Sequence, residues 1–321
     1  MKILYIAPSS DDFLSNSVFH GLRSLFGEDV IDVEPQLLLY KSASPESVKR
    51  MHGRGHTLSR TLDDIEIDRT DIPAKIMSQY FDLIVFGVVN NASLRYDSLS
   101  IINPQTVTEY NPKKNIVFLD GADSPDIKEN IRNRGWYFKR ELFLRDSGLK
   151  PIGFSVPKEK IRDPSMVKTR LIAPLVPGVG STFIYDSETD YYDMYANSLF
   201  GLTWKKAGWD CLRHYEILAA GCMPLFVDIH HCPNTILVTY PKQLVKDVFN
   251  LNGLELPFSP TDRFEYTNLF ISNVDFSKIN YAPTLSSLTE YATLLEKLHI
   301  HTRTYLTTEN TAKYIIDVVQ A

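Results

Sequence analysis

The stretch "GWDCLRHYEILAAGCMPLFVD", residues 208–228, sets Arg213, His214 and Glu216 at the front of a short helix that runs into Gly221 and an apolar strand. Leu212, Tyr215, Leu218 and Ala219 form the buried stripe of that helix, leaving the charged pair at its leading end. Uncapped N–H groups and the helix dipole draw phosphate to such a terminus, and an arginine in the first turn adds a bidentate, charge-assisted contact. Glu216 shares a face with Arg213 and is placed to accept both hydroxyls of a ribose. The same spacing also lets Arg213 and Glu216 pair with each other on a solvated face. Gly208 supplies the turn before the helix, and Asp210 is the expected N-cap of a helix starting at Cys211.

Carboxylates form the second set. "SSDD" (9–12) and "DGADS" (120–124) follow apolar runs and deliver Asp11, Asp12, Asp120 and Asp123 to the ends of strands. A carboxylate can act as general base toward a hydroxyl, with Asp123 the first choice and Asp12 the second; the same residues commonly cap helices or set turns. "GWYFKREL" (135–142) carries Lys139 and Arg140, which could balance phosphates or, more simply, sit on a solvated edge strand. "PLVPGVGS" (174–181) could bring backbone close to a phosphate, although a lone GxG is weakly specific. Cys211 and Cys222 bracket a helix about 16 Å long and could not share one zinc ion. A magnesium site at "DGAD" or "SSDD" is conceivable but not expected.

The elements that must position these groups alternate. "KILYIA" (2–7) is a short buried strand, the helical spacing of Val18, Phe19, Leu22, Leu25 and Phe26 ends at Gly27, and "VIDV" (30–33) is a second strand. Strand, loop, helix and strand within about 30 residues mark a βαβ unit. Residues 35–72 are the least periodic and read as loop or flap. A helix at 73–80 and strands "DLIVFGVV" (82–89) and "NIVFLD" (115–120) complete a first domain of about four parallel strands, residues 1–150. The interdomain connection is placed within 143–170. A second domain, 151–285, is expected to hold strands "STFIYD" (181–186), "LFGLTW" (199–204), "MPLFVD" (223–228) and "TILVTY" (235–240), with helices at 188–198, 211–220 and 241–251. Residues 286–321 read as helices packing back across both domains. The expected fold is α/β, two Rossmann-like parallel-sheet domains whose strand ends face a cleft.

Residues 188–228 resemble the donor-binding half of GT-B nucleotide-sugar glycosyltransferases, and "RHYEILAAGCMPLFVD" is particularly similar to the exostosin-like group. The matching positions are Arg213, Glu216, Ala219, Gly221, Cys222 and Pro224, with Gly208, Trp209 and Asp210 in the phosphate-loop position. The resemblance implies that Glu216 grips the ribose, that Arg213 and the loop meet the diphosphate, and that Ile184 and Tyr185 lie near the nucleotide base. It also implies catalysis without a required metal or other cofactor. It covers some 40 to 60 residues; the first half shares only general architecture.

Composition sets limits on function. The 321 residues are 44% hydrophobic and 23% charged, ordinary for a globular chain, with a net charge of −5 and no run of five like charges. With a pI near 5.9, a nucleic-acid acceptor is disfavoured, though DNA carrying modified bases stays possible. Three cysteines without a CxxC pair, no signal-peptide core and no membrane-spanning run read as a cytoplasmic protein. The function expected is transfer of a sugar from a nucleotide donor, held by the second domain, to an acceptor not specified by sequence: glycan, lipid, protein or modified nucleic acid. The alternatives are a GT-B-like sugar-nucleotide epimerase and a non-catalytic nucleotide-sugar binding protein.

Overall fold

The computed structural model describes residues 1–7, 11–87, 102–144, 148–259, 261 and 274–321. The chain forms two compact units, Met1–Lys158 together with Thr307–Ala321, and Glu159–Leu306.

The first unit is built on strands that are apolar on both faces. β1 (Ile3–Ile6), β2 (Val30–Val33), β3 (Leu83–Phe86) and β4 (Ile116–Asp120) are buried along their whole length, as strands covered by helices on both sides must be. β5 (Trp136–Lys139) and β6 (Leu149–Pro151) complete a parallel sheet in the order β2-β1-β3-β4-β5-β6. Six strands therefore stand where about four were expected. The crossover direction reverses between β1 and β3, the position at which ligands bind in open α/β sheets. Phe86 and Phe118, on neighbouring strands, stack at 4.9 Å. Val88 and Val89, expected to continue β3, lie outside the described residues.

Helix α1 (Phe13–Phe26) follows β1 and ends at Gly27, whose positive φ of 54° suits glycine. Short helices α2 (Pro45–Lys49), α3 (Ile72–Met77), α4 (Pro104–Tyr110) and α5 (Glu129–Arg132) fill the crossovers. The C-terminal helix, Thr308–Gln320, packs along α1. Contact there is backbone to backbone: a Cβ on Gly21 would lie 2.0 Å from the Thr308 carbonyl oxygen.

The second unit carries a three-stranded parallel sheet, β7-β8-β9, made of Arg170–Ile172, Ser198–Thr203 and Met223–Phe226. α6 (Glu188–Ala196) and α7 (Leu212–Ala219) connect them, and α8 (Lys242–Asp247) follows β9. A small antiparallel pair, β10 (Leu254–Glu255) and β11 (Asn280–Tyr281), precedes the long helix α9 (Leu285–Tyr305), which packs on α7 and α8. α7 closes with Gly221 at φ 69°, while the N–H groups of Gly221 and Cys222 return to the carbonyls of Leu218 and Ile217. Both bonds belong to a Schellman stop, so the "AGC" step is dictated by helix termination.

Two expected strands are absent from this unit. "STFIYD" is a 3-10 turn at Gly180–Thr182 followed by irregular chain, and Ile184 is 69% exposed. The Thr182 hydroxyl donates to the carbonyls of Val176 and Val179 and accepts from the Val176 N–H, which curls the segment away from strand pairing. "TILVTY" is likewise a run of turns with Leu237 at φ 52°. Lys242 Nζ gathers the carbonyls of Pro233, Asn234 and Ile236 at 3.0, 3.3 and 2.6 Å, so those oxygens serve an ammonium instead of a ladder. β8 pairs with β9 and, on its other side, with β7, a strand that begins at the end of the stretch expected to be a linker.

Candidate functional site

In the second unit the loop after β8 and the start of α7 bring together most of the residues singled out there. Cys211, not Asp210, occupies the N-cap position, and no side chain caps the helix. Asp210 is buried one residue earlier. Trp209 is also buried, and its carbonyl accepts from His214 Nε2 at 2.9 Å while His214 Nδ1 meets the Thr203 hydroxyl at 2.7 Å. Through Nε2 and Nδ1 the imidazole ties the loop Gly208–Asp210 to β8. Lys205 Nζ lies 5.6 Å from the Trp209 ring centre.

Glu216 is buried and turned inward: its Oε2 accepts from Tyr191 Oη at 2.6 Å. Burial, and then the Glu216 charge, push the Tyr191 hydroxyl far above its ordinary range, which keeps it a donor. Tyr191 lies in edge contact with Tyr185 at 6.4 Å and with Tyr195 at 5.4 Å. Tyr185, Tyr191 and Glu216 thus make one aromatic wall, and the charges of Arg213 bear on Tyr191 and Tyr195 in the same place. Arg213 does not pair with Glu216 on a solvated face. Its Nε is buried without a hydrogen bond, and its guanidinium makes no hydrogen bond or ion pair among the described residues.

The first unit brings Asp12, Asp120, Asp123, Lys139 and Arg140 to the C-terminal ends of β1, β4 and β5. Asp120 and Lys139 are register partners across β4 and β5, joined at 3.0 Å with 1% and 0% side-chain exposure. Tyr137 Oη donates to the same Asp120 oxygen at 2.5 Å, and the Ala122 N–H donates to the other at 3.0 Å. Arg140 donates to the Gly121 carbonyl at 3.0 Å and pairs with Asp123 and Glu141, its guanidinium 4.6 Å from the Phe154 ring centre. β5 is therefore an inner strand, with the paired Lys139 at its end and the paired Arg140 just after it, and a solvated edge is excluded. Asp12 caps α1 by accepting from the Ser15 N–H at 2.8 Å and lies against Gly121, where a Cβ would come within 3.1 Å of its carboxylate. Burial raises the Asp12 pKa; the Ser15 N–H and Arg140 oppose that rise. Asp11 stands apart, accepting from Asn16 Nδ2 at 3.0 Å and the His52 N–H at 3.3 Å. Ser9 and Ser10 lie outside the described residues.

Two groups at the second sheet were missed by sequence reasoning. Tyr191 carries no local signal, since its bond to Glu216 spans 25 positions. Asp228 does carry one, an acid directly after an apolar strand, the same signal as Asp120. Burial pushes its carboxyl up to about 6 from 3.8, against two hydrogen bonds from the Lys205 N–H at 3.1 and 3.3 Å. The folded chain therefore holds a proton there that the unfolded chain releases, so this contribution is fully present below pH 3.8 and is lost as pH rises through about 6. Asp228→Asn should remove it: wild type minus variant stability is expected to fall by about 2 kcal/mol between pH 4 and 7. Urea titrations of both chains across that range measure the difference, and parallel curves would refute the assignment.

Among the described residues no three His, Cys, Asp or Glu side chains are grouped as metal ligands, and no helix is long and apolar enough to cross a membrane. Comparison of the chain with protein-family models and with curated proteins returned no match.

Proposed function

We propose that the chain is a glycosyltransferase of GT-B type, in which the second unit binds the nucleotide-sugar donor and the first supplies acceptor and base. One observation carries this reading: Arg213, in the first turn of α7, is a largely buried cation with neither ion pair nor hydrogen bond among the described residues. The Glu216 charge acts on it through space, but its N–H donors are left without acceptors, and an anion at the uncapped α7 terminus would supply them. A nucleoside diphosphate also explains the neighbours, since Glu216 is a carboxylate of the kind that grips ribose hydroxyls and Tyr185 brings an aromatic ring for a base. Arg213 and the helix terminus would then meet the charge that grows on the departing diphosphate, a contribution usually large in group transfer. Lys139 and Arg140, already engaged by carboxylates, are left out of donor binding in this reading. No metal is required for it.

A thermal-shift panel of uridine, guanosine, adenosine and cytidine diphosphates tests the proposal, because a ligand of the native state raises Tm with its concentration over Kd. Arg213→Met is expected to weaken the diphosphate that binds by about 10- to 100-fold while leaving the chain equally stable or more so. A panel without a single shift would end this reading.

A further inference from the structure

The first unit holds a cavity of about 360 Å³, bordered by residues that follow β1 and β2. Its size falls at the low end of the range, about 300–1,000 Å³, that small-molecule sites occupy. Asp11, Asn16, Glu34 and Arg50 are its chemically informative lining, with Leu37 and Met51 among the apolar contributors.

Asn16 is 2% exposed, its Nδ2 donates to Asp11, and its Oδ1 accepts no hydrogen bond. The amide cannot be turned over to cure this, because its oxygen would then face the Asp11 carboxylate. A buried acceptor is left without a donor in a residue that lines the cavity. Glu34 stands directly after β2 with φ 59°, a backbone conformation that costs any residue but glycine. Its carboxylate makes no hydrogen bond or ion pair among the described residues. An acid in that place in a parallel sheet is positioned to grip neighbouring hydroxyls.

The lining thus offers acceptors from Asp11 and Glu34 and donors from Gln36 and Ser47, and suits a ligand that both gives and takes hydrogen bonds. Arg50, exposed and with no side-chain hydrogen bond or ion pair among the described residues, opposes a simple cation. Leu37, 67% exposed at the rim, suits the C–H face of a sugar ring. We infer that this cavity binds a neutral monosaccharide unit, with the exposed carboxylates of Glu34 and Asp11 accepting its hydroxyl protons. The site lies within the first unit and does not depend on nucleotide binding by the second.

Saturation-transfer NMR on the full chain with glucose, galactose, xylose and N-acetylglucosamine at millimolar concentration, and with putrescine as an amine probe, provides the test. At least one sugar should bind and putrescine should not. Glu34→Gly removes the carboxylate and relaxes the backbone, so it is expected to lower sugar affinity about tenfold or more while Tm holds or rises by a few degrees. Glu34→Gln, which keeps one acceptor oxygen, should retain part of the affinity. Absence of sugar binding, preference for putrescine, or sugar affinity untouched by Glu34→Gly would each overturn the inference. Sugar binding without any nucleoside diphosphate binding would sustain this site and remove the donor reading; the reverse pattern would remove this site alone.

Discussion

Lys139→Met is expected to destabilise the first unit by about 3–5 kcal/mol, a large share of the roughly 5–15 kcal/mol that holds a domain folded. The methionine keeps the apolar stem but strips Asp120 of its ammonium partner. Only Tyr137 and the Ala122 N–H then remain to satisfy a carboxylate that water cannot reach. The double variant Asp120→Asn, Lys139→Met removes both charges and should recover most of the loss, because an intact buried pair contributes little net energy while half a pair is expensive. Urea unfolding followed at Trp136, which lies on the same strand, reads the effect. A loss below about 1 kcal/mol in the single variant would show that Asp120 carries no charge needing compensation.

Asp12→Asn should lower turnover by about 10²- to 10⁴-fold with little change in Tm. Asparagine caps a helix as well as aspartate does, so α1 keeps its terminus and only the base is lost. Nucleoside diphosphate released per unit time is the readout, with the donor identified by the thermal-shift panel. The pH profile separates catalysis from structure. A base acts only when deprotonated, and burial lifts the Asp12 carboxyl above its usual range. Wild-type turnover should therefore fall as pH drops through that raised value, and the variant should lack this limb. Retained turnover in Asp12→Asn would shift the base to another residue or favour a binding protein without chemistry.

Much of the sheet framework was legible because buried parallel strands advertise themselves. "ILYI", "LIVF" and "IVFL" contain no charge, and their shortness, β-branched and aromatic content and flanking polar residues favour a buried strand over a helix. The charged end of β5 concealed its depth. Lysine and arginine in sequence imply water, and the carboxylates that neutralise them lie 19 and 17 positions away, at the end of β4 and in the loop after it. "STFIYD" and "TILVTY" failed for the opposite reason. Their β-branched and aromatic residues favour a strand, but the Thr182 hydroxyl folds the first segment back onto Val179, and the Lys242 ammonium takes the Ile236 carbonyl of the second. At the site, the helix with Arg213 and Glu216 was foreseen one residue out of register at its cap. The inward turn of Glu216 was not, since it depends on Tyr191, whose place opposite α7 is set by tertiary packing.

The bridge between Val156 and Thr307, with the Thr308 N–H bonded to the Val156 carbonyl at 3.0 Å, joins two points separated by the whole second unit. α1 is therefore synthesised long before the helix that covers Gly21. Until residues beyond Leu306 leave the ribosome, one flank of α1 has no neighbour, and the nascent amino-terminal region waits with apolar surface exposed. Translation order thus leaves the first unit unfinished until the second has been synthesised.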